Sequence, residues 1–185
     1  MTDETAARTI EKQYARRNIS GYRSPYADPF EYRSIVTVGI DEVFKLMAPS
    51  VENKSNADSL AQAKIEFEEF VRFAGPFYLP ENWLVAFKDG EAVGYVFPQQ
   101  YWDKPEEGSI FSIAVLPELR DRGYGKIIHA KGLEVLAESG VESYVGSTEI
   151  TNRAMIATFL ANGCTLSKIH RIEVDESGNH LRFLT

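Results

Sequence analysis

The stretch that most constrains this chain runs from Ile113 to Ile128: Ile-Ala-Val-Leu-Pro-Glu-Leu-Arg-Asp-Arg-Gly-Tyr-Gly-Lys-Ile-Ile. Ile110, Phe111, Ile113, Ala114 and Val115 are apolar and mostly β-branched or aromatic, and Pro117 cannot continue a central strand. Helical spacing starts after Gly125, so the pattern predicts strand, tight turn, helix. Gly123 and Gly125 carry no Cβ, so both can take a positive φ and let a ligand approach the N–H groups that an opening helix points outward. The helix dipole, with the full charges of Arg120, Arg122 and Lys126, makes a phosphate or pyrophosphate the expected guest.

Two familiar glycine loops do not fit. A P-loop needs Gly-Lys followed by Ser or Thr, but Gly125-Lys126 is followed by Ile127. A dinucleotide fingerprint needs a third glycine, and the residue three past Gly125 is Ile128. What remains is Arg-x-x-Gly-x-Gly, Arg120 to Gly125, behind a Val-x-Pro strand end. Taken alone, this motif also describes an ordinary strand-to-helix turn with solvated arginines.

Charge and residue usage narrow the partners. A net charge of −7 and a pI of about 5.1 argue against general nucleic-acid binding, which needs a basic face. Cys164 is the only cysteine, so no intramolecular disulfide can form, and a reducing cytoplasm is the simplest home. The three histidines, His129, His170 and His180, show no metal-ligand spacing, so no metal is expected. No secretory signal is expected in the charged segment Thr2 to Arg17, and no apolar run approaches the roughly 20 residues of a spanning helix.

In order, Ala6, Ala7, Ile10 and Tyr14 fall at helical spacing, and Gly21, Pro25 and Pro29 then break any helix. Residues 1–33 are read as an N-terminal arm. Its tyrosines Tyr14, Tyr22, Tyr26 and Tyr32 suit a substrate lid, a homodimer arm or an irregular wrap on the core. Ser34 to Val38 reads as a strand, Asp41 to Ala48 as a short helix, and Leu60 to Val71 as a stronger one. Trp83 to Phe97 reads as a hairpin turned at Asp89-Gly90, followed by a strand over Ser109 to Val115. Helix Lys126 to Ser139, strand Glu142 to Glu149, a helix capped by Thr151 or Asn152 and ended by Gly163, and a closing hairpin at Thr165 to Leu184 complete the chain.

This order, together with the Arg-x-x-Gly-x-Gly loop and Asn152-Arg153-Ala154 opening a later helix, resembles the GNAT superfamily of acyl-CoA-dependent N-acyltransferases. The resemblance covers residues 34–185. It implies an α/β fold with a mixed, mostly antiparallel, strongly bent central sheet flanked by helices. It also implies an N-acetyltransferase that uses acetyl-CoA as co-substrate and an amine as acceptor. Carried over residue by residue, it implies that Ile113, Ala114 and Val115 offer strand backbone to pantetheine. Arg120, Asp121, Arg122, Gly123, Tyr124, Gly125 and Lys126 would hold the pyrophosphate, largely through main-chain N–H groups, and Asn152 and Phe159 would flank the pantetheine arm.

The chain departs from the family where chemistry is usually assigned. Phe159 stands where many members carry a proton-donating tyrosine, and the strand position that holds a glutamate in some members is Ser109 here, with Ser147 at the matching place on the next strand. By strand parity Glu149 is the nearest candidate base; its alternative is a solvated strand-end acid, with Glu106 and Glu107 or a water chain as substitutes. Cys164 follows a helix C-terminus, which disfavours a thiolate, so direct amine attack in a ternary complex is expected rather than an acyl-enzyme. The acidic balance favours a cationic acceptor such as a polyamine, an aminoglycoside or a lysine side chain. A non-catalytic acyl-CoA sensor and an interaction module that keeps the fold are the other two readings.

Overall fold

The computed structural model describes residues 8–50, 56–174 and 180–184; Ala6, Ala7 and the expected turn Asp175 to Asn179 lie outside them. In chain order the elements are β1 (Arg8–Asn18), β2 (Glu31–Ser34), α1 (Ile35–Val38), α2 (Ile40–Met47), α3 (Asn56–Ala74), β3 (Leu84–Lys88) and β4 (Glu91–Gln100). They continue with β5 (Glu107–Val115), α4 (Tyr124–Glu138), β6 (Ser143–Glu149), α5 (Arg153–Ala161), β7 (Thr165–Leu166), β8 (His170–Val174) and β9 (His180–Phe183). The expected mixed, mostly antiparallel α/β arrangement is present. The chain divides into two compact units, Asn18–Tyr144 and Met1–Arg17 with Val145–Thr185.

In the unit Asn18–Tyr144, β2, β3, β4 and β5 pair antiparallel in sequence order. The β3–β4 turn uses Asp89 (φ 52°) and Gly90 (φ 85°), the positive-φ pair that an Asp-Gly hairpin favours. One sheet face packs against α2 and α3 through Val43, Met47, Ala63, Phe67, Trp83, Val85, Tyr95 and Phe97. There the Trp83 and Phe97 rings stack with centroids 4.8 Å apart, and Phe67 meets Trp83 edge-on at 5.4 Å. The other face takes α4: Ile128 is buried with Val96, and Gly132 lets the helix sit on Ile110 and Val96, whose side chains a Cβ would meet at 2.7 and 2.8 Å.

In the second unit, β1 pairs antiparallel with β8 from Arg8↔Val174 to Lys12↔His170, and with β7 at Ala15↔Leu166 and Arg16↔Thr165. The strand β9 closes on β8. The helical spacing read around Ile10 and Tyr14 is therefore corrected to a strand. Ile10 lies opposite Ile172 and shares a small core with Ile172 and Val174, so pairing with distant strands overrides the local period. The strand expected at Ser34 to Val38 ends at Ser34 instead. The Ser34 hydroxyl accepts the Thr37 N–H at 3.3 Å and caps α1, which Gly39 (φ 91°) ends.

Candidate functional site

The strand β5 pairs along one edge with β4, from Gly94↔Val115 to Gln100↔Gly108. On its other edge the parallel ladder to β6 comprises Glu107↔Ser143 and Gly108↔Tyr144. Leu116 donates its N–H to Val93 O at 2.9 Å, so by the alternation of an antiparallel ladder Ser112 and Ala114 also face β4. Ile113 and Val115 therefore turn their backbone N–H and C=O toward the edge where the ladder has stopped. Their side chains pack on the α4 face, so the same residues serve the core and present backbone.

After Val115 the chain makes a tight turn over Pro117–Leu119 and enters α4 at Tyr124. Gly123 adopts φ 75°, ψ 10°, the left-handed conformation expected of it. Gly125 does not: it lies inside α4, and the second positive φ of the loop belongs to Asp121, at 62°. The expectation for Gly125 is corrected because the helix begins one residue before it. Gly123 is not needed for space, since a Cβ there would come no closer than 3.8 Å, to Lys126 Cε. Conformation alone selects the glycine.

Arg120, Asp121, Arg122, Gly123 and Lys126 are exposed around the start of α4, where the first N–H groups have no partner within the helix. Arg120 Nε donates to Val115 O at 3.2 Å, and Lys126 Nζ lies 5.3 Å from the centre of the Tyr26 ring. The Tyr124 ring stands edge-on to Phe30 at 5.1 Å and its hydroxyl accepts from Lys88 Nζ at 3.1 Å. The Lys88 hydrogen bond, aided by Arg122, holds the Tyr124 phenol below its ordinary pKa. Lys88 is thus an additional cation at this turn. It comes from the β3–β4 hairpin, 36 residues away, and its only signal in the sequence is its place beside an Asp-Gly turn.

The remaining candidates lie apart from this turn in the chain. Asn152 caps α5, accepting the Met155 N–H at 3.0 Å, and Phe159 is 2% exposed. Both belong to the second unit, as does Glu149, whose carbonyl accepts the Asn152 N–H at 3.0 Å. Ser109 is 8% exposed, Ser147 is on the surface, and Glu107 faces Lys104 Nζ at 4.0 Å. Ser112 Oγ donates to Tyr95 Oη at 3.3 Å, while His129, fully buried, has Nε2 3.1 Å from Tyr144 Oη. Burial pushes the Cys164 thiol up to about 11, against a smaller opposing pull from Arg17. Among the described residues no cluster of His, Cys, Asp and Glu could hold a metal ion, and no helix is long and apolar enough to cross a membrane.

Comparison with known proteins gives these features a setting. The model of the acetyltransferase (GNAT) family matches residues 42–163. A mycothiol acetyltransferase from Sanguibacter keddieii is 32% identical over 102 residues, which cover 53% of this chain and 32% of that protein. The chain spans about a third of the length of the mycothiol acetyltransferases it matches. Among solved structures, a GNAT-family acetyltransferase from Colwellia psychrerythraea aligns with a TM-score of 0.61 at 13% identity, covering 92% of this chain and 58% of that one. The diaminobutyrate acetyltransferase EctA from Paenibacillus lautus, in complex with L-2,4-diaminobutyric acid and coenzyme A, aligns at 0.51 and 18% identity over 74% of this chain and 75% of its own. These two structural likenesses concern the fold.

Proposed function

The chain belongs to the GNAT acetyltransferase family, and from that premise we propose that it transfers an acetyl group from acetyl-CoA to an amine by direct attack in a ternary complex. The observation that carries this reading is the outward-turned backbone of Ile113 and Val115 leading straight into a left-handed Gly123 at the opening of α4. A strand edge of this kind suits the paired amides of pantetheine, and the N–H groups from Arg122 to Lys126 suit a pyrophosphate. Lys88, Arg120, Arg122 and Lys126 add positive charge around that turn. Asn152 and Phe159 enter the reading from the family motif, and Glu149 from strand parity.

In the reaction the amine lone pair attacks the thioester carbonyl carbon, the nitrogen gives up a proton, and the carbon–sulfur bond breaks. A thiol of pKa about 8.5 leaves readily as the anion, whereas an amine of pKa about 10.4 has to lose its proton before it attacks. Removal of that proton therefore matters more than protonation of the sulfur, which is why Phe159 in place of a tyrosine is compatible with turnover. The buried Cys164, with its thiol held neutral, is poorly suited to an acyl-enzyme route. The relatives are named for different molecules, mycothiol and L-2,4-diaminobutyric acid, and acetyl transfer is what those names share.

The test is calorimetric titration with CoA followed by initial rates of CoA release with an amine panel. Saturable CoA binding, amine-dependent release and intersecting initial-rate plots are expected. Binding without release would indicate an acyl-CoA sensor, and absence of CoA binding would leave an interaction module.

A further inference from the structure

We propose that the acceptor carries an apolar, preferably aromatic group beside its amine, seated on a wall formed by Phe70, Tyr101 and Phe111; the proposal rests on the acetyl-transfer reading above. The wall originates in an irregularity of β5. Phe97 pairs with Ser112 and Pro98 with Ile110, which leaves Phe111 as an extra residue opposite β4. Side chains of a regular strand alternate between faces, yet Phe111 and Ser112 both project to the α3 side. Phe111 lies 6.1 Å from the Phe70 ring and 6.3 Å from the Tyr101 ring, and Ser112 reaches Tyr95 Oη at 3.3 Å. Ile110 and Ile113, on either side, pack on the α4 face.

The bulge thus turns an aromatic ring out of the sheet two residues before Ile113, about 7 Å along the strand from the first outward-turned backbone group. Phe70, Tyr101 and Phe111 are each only partly buried, so the wall retains accessible ring surface. Of the carboxylates near it in sequence, Glu69 pairs with Arg72 at 3.5 Å, Glu107 with Lys104 at 4.0 Å and Glu66 with the Gln62 amide at 3.3 Å, while Glu68 and Asp103 are exposed. A flat apolar group is matched by the rings themselves.

The test compares 2-phenylethylamine, n-propylamine and spermidine as acceptors, with CoA titration of each variant as a control on folding and on the acetyl-transfer reading. We expect kcat/KM for 2-phenylethylamine to exceed that for spermidine by about tenfold or more, and Phe111→Ala to lower it by about tenfold while n-propylamine changes by about twofold or less. Phe111→Leu, which keeps apolar volume without a ring, should fall between. Preference for spermidine, or equal losses for both monoamines in a variant that still binds CoA, overturns this proposal alone. Failure of the unaltered protein to bind CoA overturns the acetyl-transfer reading with it. If CoA binds and no amine turns over, equilibrium dialysis of 2-phenylethylamine against CoA-loaded protein decides: binding lost in Phe111→Ala supports the wall, and absence of binding overturns it.

Discussion

Arg120 donates its Nε–H to the carbonyl oxygen of Val115 at 3.2 Å, so the first cation of the loop grips the last outward-facing carbonyl of β5. The bond ties the end of the strand to the turn that follows it and spends part of the guanidinium on shaping backbone. An exposed charge of this kind contributes little by charge alone.

Arg120→Ala is therefore expected to weaken CoA binding only about two- to fivefold. Arg120→Lys should not restore it, because an ammonium keeps the charge without the directed Nε–H. Calorimetric titration at low and moderate salt checks both points. Full recovery with lysine would show that Arg120 acts as a charge only.

Gly123 separates conformation from space. Its φ of 75° disfavours a side chain, although the nearest atom to a Cβ would be 3.8 Å away. Gly123→Asn, which tolerates the left-handed region, should keep CoA affinity near its original value, while Gly123→Val should lower it about tenfold or more, from a strain of about 1–3 kcal/mol. Equal affinities for the valine and asparagine variants would remove the loop from the binding site.

Gly94 lies opposite Val115 in the β4–β5 ladder, and a Cβ there would collide with the Ala114 carbonyl oxygen, a backbone atom that cannot swing aside. Gly94→Ala should cost about 1–3 kcal/mol in denaturant unfolding and weaken CoA binding by displacing the end of β5. A variant as stable as the original would mean the two strands separate without cost.

Cys164 is 5% exposed and its thiol is raised to about 11 by burial. Raising this pKa favours the neutral form in the folded state. Its stabilising contribution is present below the ordinary thiol pKa of about 8.5 and is lost as pH rises through about 11. Alkylation of the folded protein should be slow at pH 8, and Cys164→Ala should retain most activity and flatten the alkaline fall in melting temperature. Parallel initial-rate lines with an acetylated Cys164 peptide would establish a covalent route instead.

The turn from Val115 into α4 was legible from residues 113–128 because its determinants are local: Pro117 stops the strand, Gly123 takes the left-handed backbone, and helical spacing follows within a few positions. The hairpin at Asp89-Gly90 and the capping of α5 by Asn152 were legible for the same reason. Tertiary structure decided the rest. Arg8–Asn18 is a strand because β7 and β8 offer it partners from more than 140 residues away, against its own helical spacing. Lys88 meets Tyr124 because the β3–β4 hairpin turns back onto the loop, and Phe111 faces α3 because one extra residue enters β5 opposite β4. In each case the outcome depends on which strand a segment pairs with and in what register, and that free energy resides in contacts between distant residues, where no short stretch of sequence carries it.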